Sequence, residues 1–145
     1  MVRRAAIALV TPLAHATPDA IAAALRPRDD DYAAVFVGEV AARAREAYAA
    51  LWRAPPPLLA GPAQTVVTAF ACRAGELASN NVSRRQVPGG YRQIARDLRP
   101  ELIWVRFAVH APGESAGTSH DGLVWRIGRW AWFPKPWRVL GGDAS

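Results

Sequence analysis

Four polar side chains interrupt the otherwise apolar strand-like segments in the second half of the chain: Arg106, His110, His120 and Asp121. A histidine beside a carboxylate is the pairing a general base requires, and an arginine within reach would steady an anion or oxyanion. If the two segments pair across the loop between them, His110 comes to lie near His120 or Asp121. These three are therefore the candidate catalytic residues, with Arg106 as their ligand-binding partner. A plainer reading outweighs this one. Asp121-Gly122 would shape a strand entry, the histidines would sit at an open sheet edge, and Arg106 would run its stem along apolar surface to reach water. Spacing alone supplies no hydrogen-bond geometry. Ser119-His120-Asp121 is not a triad in any case, because neighbours on a strand point to opposite faces and a triad needs three convergent side chains.

Other reactive groups are sparse. Three histidines without regular spacing make no metal site, and none is expected. Cys72 is the only cysteine, so no internal disulfide forms. It lies in the apolar run VVTAFAC and reads as a small core residue. Pro88-Gly89-Gly90-Tyr91, with Arg84, Arg85 and Arg92 close by, would offer free backbone N–H groups to an anion, but it lacks the phosphate-loop pattern. A turn before a helix explains its glycines. No cofactor is implied.

The apolar counterpart of these groups is aromatic. Five of the six tryptophans (Trp104, Trp125, Trp130, Trp132 and Trp137) fall in the last 42 residues. Side chains of that size fill a core, line a cavity, or stack on single-stranded bases. Trp125 alternates against Arg126, while Trp130 and Trp132 share a face with apolar partners, so core comes first. Trp104, Trp125, Trp132 and Tyr91 are the candidate lining of a ligand cavity.

Charge does not choose between these roles. The net charge is +6, yet Lys135 is the only lysine among the 18 basic residues. Arginine-for-lysine usage in an alanine-rich chain is what a GC-rich genome writes by codon bias. The arginines are scattered over several elements without a run, so nucleic acid is an unfavoured partner.

The elements that must position these residues are legible in the periodicity. The chain reads as one domain over residues 17–145, preceded by a short amino-terminal segment, residues 1–16. Arg3 and Arg4, the apolar run 5–10, Thr11-Pro12 and Ala14-His15-Ala16 outline a signal peptide. The apolar run is short for one, so a flexible terminus is the other reading. Cytoplasmic location is slightly favoured, and an exported or periplasmic one follows if 1–16 is cleaved. No segment approaches the length of a membrane span.

Thr17-Pro18-Asp19 opens a helix that Pro27 stops. A longer amphipathic helix of roughly six turns is expected from Asp29-Asp30-Asp31 to Trp52, with Tyr32, Val35, Phe36, Val40, Ala44, Tyr48 and Leu51 on its apolar side. Residues 64–72 read as a strand, 79–86 as a loop, and 91–98 as a short helix. Residues 102–111 alternate as a strand, with Ile103, Val105, Phe107 and Val109 on one face. Residues 120–127 form the next, with Asp121, Leu123, Trp125 and Ile127 together. Gly128-Arg129 is expected as a type II′ turn into a third strand, 130–133. Pro134 and Pro136 then end it.

Helices first, then a curved antiparallel sheet closing on DGLVWRIGRWAWFPKPWRVL: this order resembles the cone-shaped NTF2-like superfamily, which includes ketosteroid isomerases and SnoaL-like cyclases. The combination PGGY, PGE, DGLVW and FPKPWRVL also resembles a set of bacterial proteins of similar size. The resemblance spans about residues 17–140 and implies an α+β fold with amino-terminal helices on a curved antiparallel sheet around a cavity. It transfers no active-site residue, because the acid/base aspartate and tyrosine of the isomerases have no matching positions here. It also departs in showing one strand, not a hairpin, between the long helix and the short one. The expected function is binding of a small apolar ligand or a protein partner without catalysis. The alternatives are cofactor-free acid/base chemistry in the same cavity and, third, single-stranded nucleic-acid binding. A homodimer through the sheet is a further expectation.

Overall fold

The computed structural model describes residues 1–77 and 88–141. The loop expected over 79–86, with Arg84 and Arg85, lies outside the described residues. The fold is α+β, as expected: helices packed on one four-stranded, curved and unclosed antiparallel sheet.

Residues 2–13, read from sequence as part of a leader or flexible terminus, form helix α1 (Val2–Leu13). Ala6, Val10 and Ala14 recur every fourth residue and are buried, which is the stripe a helix needs to lie on a sheet. α1 packs on strands β1 (Val66–Arg73) and β2 (Ile103–His110). Helix α2 (Pro18–Leu25) starts as its residues dictate: Thr17 Oγ1 accepts the Ala20 N–H at 3.2 Å and Pro18 occupies the first turn.

The long helix expected from residue 29 is two helices, α3 (Asp29–Val35) and α4 (Gly38–Leu51). Phe36 is extended and bridges to Leu98, while the Val37 N–H bonds to the Asp97 carbonyl at 2.9 Å. Gly38, at φ 50°, takes the left-handed turn that restarts the helix. The apolar periodicity runs unbroken through the junction, so it conceals the break. The pull comes from the short helix α5 (Gly90–Ile94) and the 3-10 turn Ala95–Asp97 behind it.

Strand order is β1-β2-β3-β4, with β3 spanning Gly117–Arg126 and β4 spanning Arg129–Trp132. Val105 pairs with Leu123 but Phe107 pairs with His120, so Arg106 alone faces both Asp121 and Gly122. This is a β-bulge, and it breaks the alternation expected for β3. Cross-strand partners share a face, so His120 stands with Phe107 and Leu123, the latter expected beside Asp121. Gly122 is required there twice over. Its φ is 90°, and a β-carbon would run into the Phe133 carbonyl that its own backbone approaches.

The hairpin also differs in register. Arg126 pairs with Arg129, so the two turn residues are Ile127 and Gly128. Gly128, at φ 77°, is the second of them, which is the glycine position of a type II turn and not of the expected II′. Beyond β4 the prolines leave the sheet, and Pro136 begins a helix absent from the sequence reading, α6 (Pro136–Gly141). α6 packs on α4 and α5, where Trp137 meets Tyr91 at 5.0 Å between ring centroids.

The core is aromatic. Phe133 sits among Tyr32, Phe36 and Tyr48 at 5.3–5.5 Å, each edge-on, and Trp104 closes the group. Cys72 is buried, and burial pushes its thiol up to about 11, so it is protonated at neutral pH and serves as core.

Candidate functional site

The bulge decides where the polar residues go. It leaves Asp121 almost fully enclosed and hands its carboxylate to two donors: Oδ1 accepts the Tyr91 hydroxyl at 2.9 Å and the Lys135 N–H at 3.0 Å. The Asp121 carbonyl accepts the Trp132 indole N–H at 2.7 Å. Three elements are thereby tied to one residue of β3: α5, the end of β4 and the Pro134-Lys135-Pro136 segment. Lys135 takes φ 48°, a left-handed backbone that costs a non-glycine residue about 1 kcal/mol and is held here by that bond to Asp121. Burial raises the Asp121 carboxyl above its ordinary 3.8, and the two hydrogen bonds and the nearby Lys135 charge pull part of the way back. The Tyr91 hydroxyl is pushed well above 10, by burial first and then by the Asp121 charge.

His120 is positioned by its neighbours. Its ring stacks on Phe107 at 5.1 Å and meets Trp132 edge-on at 5.8 Å. Nε2 lies 2.9 Å from the Leu59 carbonyl. A carbonyl only accepts, so Nε2 carries the proton and Nδ1 is left as the basic nitrogen of a neutral imidazole. Burial holds the imidazole below its ordinary 6.5, against the opposing pull of the Leu59 carbonyl and the Asp121 charge.

These two residues border a cleft of about 420 Å³ between β3, the end of β4 and the proline turn after α4. Trp52, Trp132 and Pro55-Pro56-Pro57 form its apolar walls, and Ser119, His120, Asp121 and Lys135 its polar side. Trp52 and Trp132 meet edge-on at 6.0 Å. The indole N–H of Trp52 is buried and has no acceptor among the described residues.

The other candidates lie elsewhere. His110 pairs with Gly117, about 10 Å of strand away from His120, and on the opposite face of the sheet. Its Nδ1 donates to the Ala111 carbonyl at 3.1 Å. The strands do pair across the loop, but their register does not bring His110 to His120 or Asp121. Arg106 shares the face of His110 and donates to Ser119 Oγ at 3.0 Å. Ser119, His120 and Asp121 thus serve three separate partners, as adjacent residues on a strand must. Trp104 is core, between Phe36 and Tyr91. Trp125 pairs with Trp130 at 4.8 Å near the hairpin and borders no part of the cleft. Tyr91 reaches the cleft only through Asp121.

The sequence reading missed a second buried carboxylate. Asp31 is fully enclosed, and its oxygens accept from Arg126 Nε at 3.0 Å, from both terminal nitrogens of Arg129, and from the Arg28 N–H at 2.7 Å. Burial acts to raise its carboxyl, but Arg129, the Arg28 N–H and Arg126 outweigh it and hold the group below 3.8. The three aspartates at a helix start and the two arginines flanking a turn were visible in the sequence. Nothing in it joined positions 95 residues apart.

No protein-family model, curated protein or solved structure matches the chain.

Proposed function

We propose that the chain binds a small, largely apolar molecule in the cleft between Trp52 and Trp132 and does not transform it. The observation that carries this reading is the cleft itself: about 420 Å³, walled by two tryptophans and three prolines, with its polar groups gathered on one side. Ligand sites of small molecules share that make-up, an apolar body with a few polar groups that fix orientation. Restraint of the polar groups favours binding over catalysis. His120 Nε2 is committed to Leu59, and Asp121 Oδ1 to Tyr91 and Lys135. Descent from an NTF2-like ancestor is part of the proposal, supported by helices followed by a curved, unclosed antiparallel sheet. Sequestration of Arg126 and Arg129 by Asp31 leaves fewer free cations for nucleic acid, which supports a small-molecule or protein partner. No helix among the described residues is long and apolar enough to cross a membrane.

Native mass spectrometry of protein purified gently from its own host tests the proposal. A co-purifying small molecule that is lost in Trp52→Ala supports it. A ligand-free dimer, the sheet-to-sheet pairing expected from the aromatic strands, would argue for a protein partner instead.

One observation favours a second reading, an acid/base enzyme. A neutral imidazole with Nε2 fixed and Nδ1 free is the state a general base needs, and the Lys135 ammonium is close enough to act on it. In that reading His120 acts alone as base, without His110 or Arg106. A His120→Gln variant that binds the co-purifying molecule unchanged, with no substrate turned over by the parent protein, would exclude it.

A further inference from the structure

The polar side of the cleft has a sign. Lys135 is the only lysine in the chain, borders the cleft, and makes no ion pair within 4.0 Å among the described residues. Its backbone is not free to swing. Prolines flank it on both sides, its φ is 48°, and its N–H is bonded to Asp121. A left-handed residue held between two prolines fixes the direction of its Cα–Cβ bond at the cleft border, and the side chain beyond it is exposed. The charge also reaches into the site, since it acts on both His120 and Asp121.

The unmet hydrogen-bonding capacity points the same way. Trp52, in the cleft wall, carries a buried indole N–H without an acceptor among the described residues, as does Trp104 in the core. Buried N–H groups are seldom left unpaired. Of the two charged groups at the cleft, Asp121 has its partners within the fold, whereas Lys135 has no ion-pair partner among the described residues. The competing idea, a cationic ligand drawn by Asp121, is weaker. Two donors already compensate that carboxylate from within the fold, and an incoming cation would meet Lys135.

We propose that the cleft selects apolar or aromatic molecules that carry a carboxylate, with the Lys135 ammonium reading the charge and Trp52 and Trp132 holding the body. The inference rests on the binding reading above and adds the ligand's chemical class. A cleft of about 420 Å³ has room for a two-ring body with one small substituent.

Isothermal titration calorimetry with two isosteric probes tests it on the full chain. 1-Naphthoate and 1-naphthamide have the same ring system and differ in charge. The expected result is naphthoate binding about fivefold more tightly than naphthamide, a preference that shrinks as salt is added. Lys135→Met should bring the two probes to similar affinity by weakening naphthoate alone, and Lys135→Arg should retain the preference. Methionine and arginine face the same left-handed backbone as lysine, so both variants keep the local strain, and matching urea midpoints verify the fold. Equal binding of the two probes to the parent protein, or a preference that survives Lys135→Met, overturns the carboxylate inference and leaves the cleft as a neutral site. Failure of both probes to bind the parent protein overturns the binding reading and this inference together.

Discussion

Two buried aspartates hold this fold together, and their carboxyls are displaced in opposite directions from the ordinary range. Asp31, at the start of α3, is clasped by Arg126 and Arg129 from the two sides of the β3–β4 turn. Asp121, at the bulge of β3, is held by a tyrosine hydroxyl and a backbone N–H. Both tie segments remote in sequence, and both lie out of water. At Asp31 the arginine partners outweigh burial and hold the carboxyl below its ordinary range, while at Asp121 burial outweighs the neutral donors and leaves it above. A carboxylate answered by full charges is a structural pin. One answered by dipoles, at the edge of a cleft, retains the capacity to respond to a ligand or a proton.

Removing the pin should cost most. Asp31→Asn leaves partly buried Arg126 without a counter-charge and Arg129 with only the exposed Asp30, and should lower stability by about 3 kcal/mol, read from urea unfolding. Tyr91→Phe removes a neutral donor only and should cost about 1–2 kcal/mol. If the two losses prove equal, the distinction between pin and responsive site fails.

Acid titration separates the aspartates by sign. Asp31 has its folded value below that of the unfolded chain, so its stabilisation is present above about 3.9 and disappears as pH falls through the folded value. Asp121 has its folded value raised. Its contribution is greatest below about 3.9 and is lost as pH rises through the folded value. Urea midpoints measured across that range should therefore lose their lower limb in Asp31→Asn and their upper limb in Asp121→Asn. The same limb vanishing in both variants would remove the contrast.

The smallest expected effect sharpens the responsive side. His120 is held below 6.5, so the stability it contributes is full above that value and falls as the unfolded chain takes up a proton below it. Its imidazole resonance should titrate below 6.5 by NMR, and Lys135→Met should raise that midpoint by removing a repelling charge. No movement in the variant would place the ammonium away from the cleft.

Much of the scaffold was legible because it depends on local spacing. The capped start of α2 follows from Thr17-Pro18-Asp19, and the strand character of β2 from the every-second-residue recurrence of Val105, Phe107 and Val109. The candidate site was legible only as residue types. His120, Asp121 and Trp132 do border one cleft, whereas His110, Arg106 and Trp125 do not. Strand alternation would have stood His110 near His120 under a different register, and the sequence carries no sign of the register adopted. In the sequence Trp52 reads as the end of a helix and Lys135 as the only lysine, and their place at the cleft follows from the chain path around them.

What the sequence determined by itself is the α+β class and the apolar faces of its helices and strands. Those follow from periodicities of 3.6 and 2, which each segment expresses alone. Tertiary structure decided the break at Phe36-Val37, where Leu98 and Asp97 compete for the backbone of a continuous amphipathic pattern. It also decided the bulge at Asp121-Gly122, the clasp on Asp31 and the docking of α6. Each of these is a contact between segments far apart in the chain, and the energy that selects it exists only once both segments are in place.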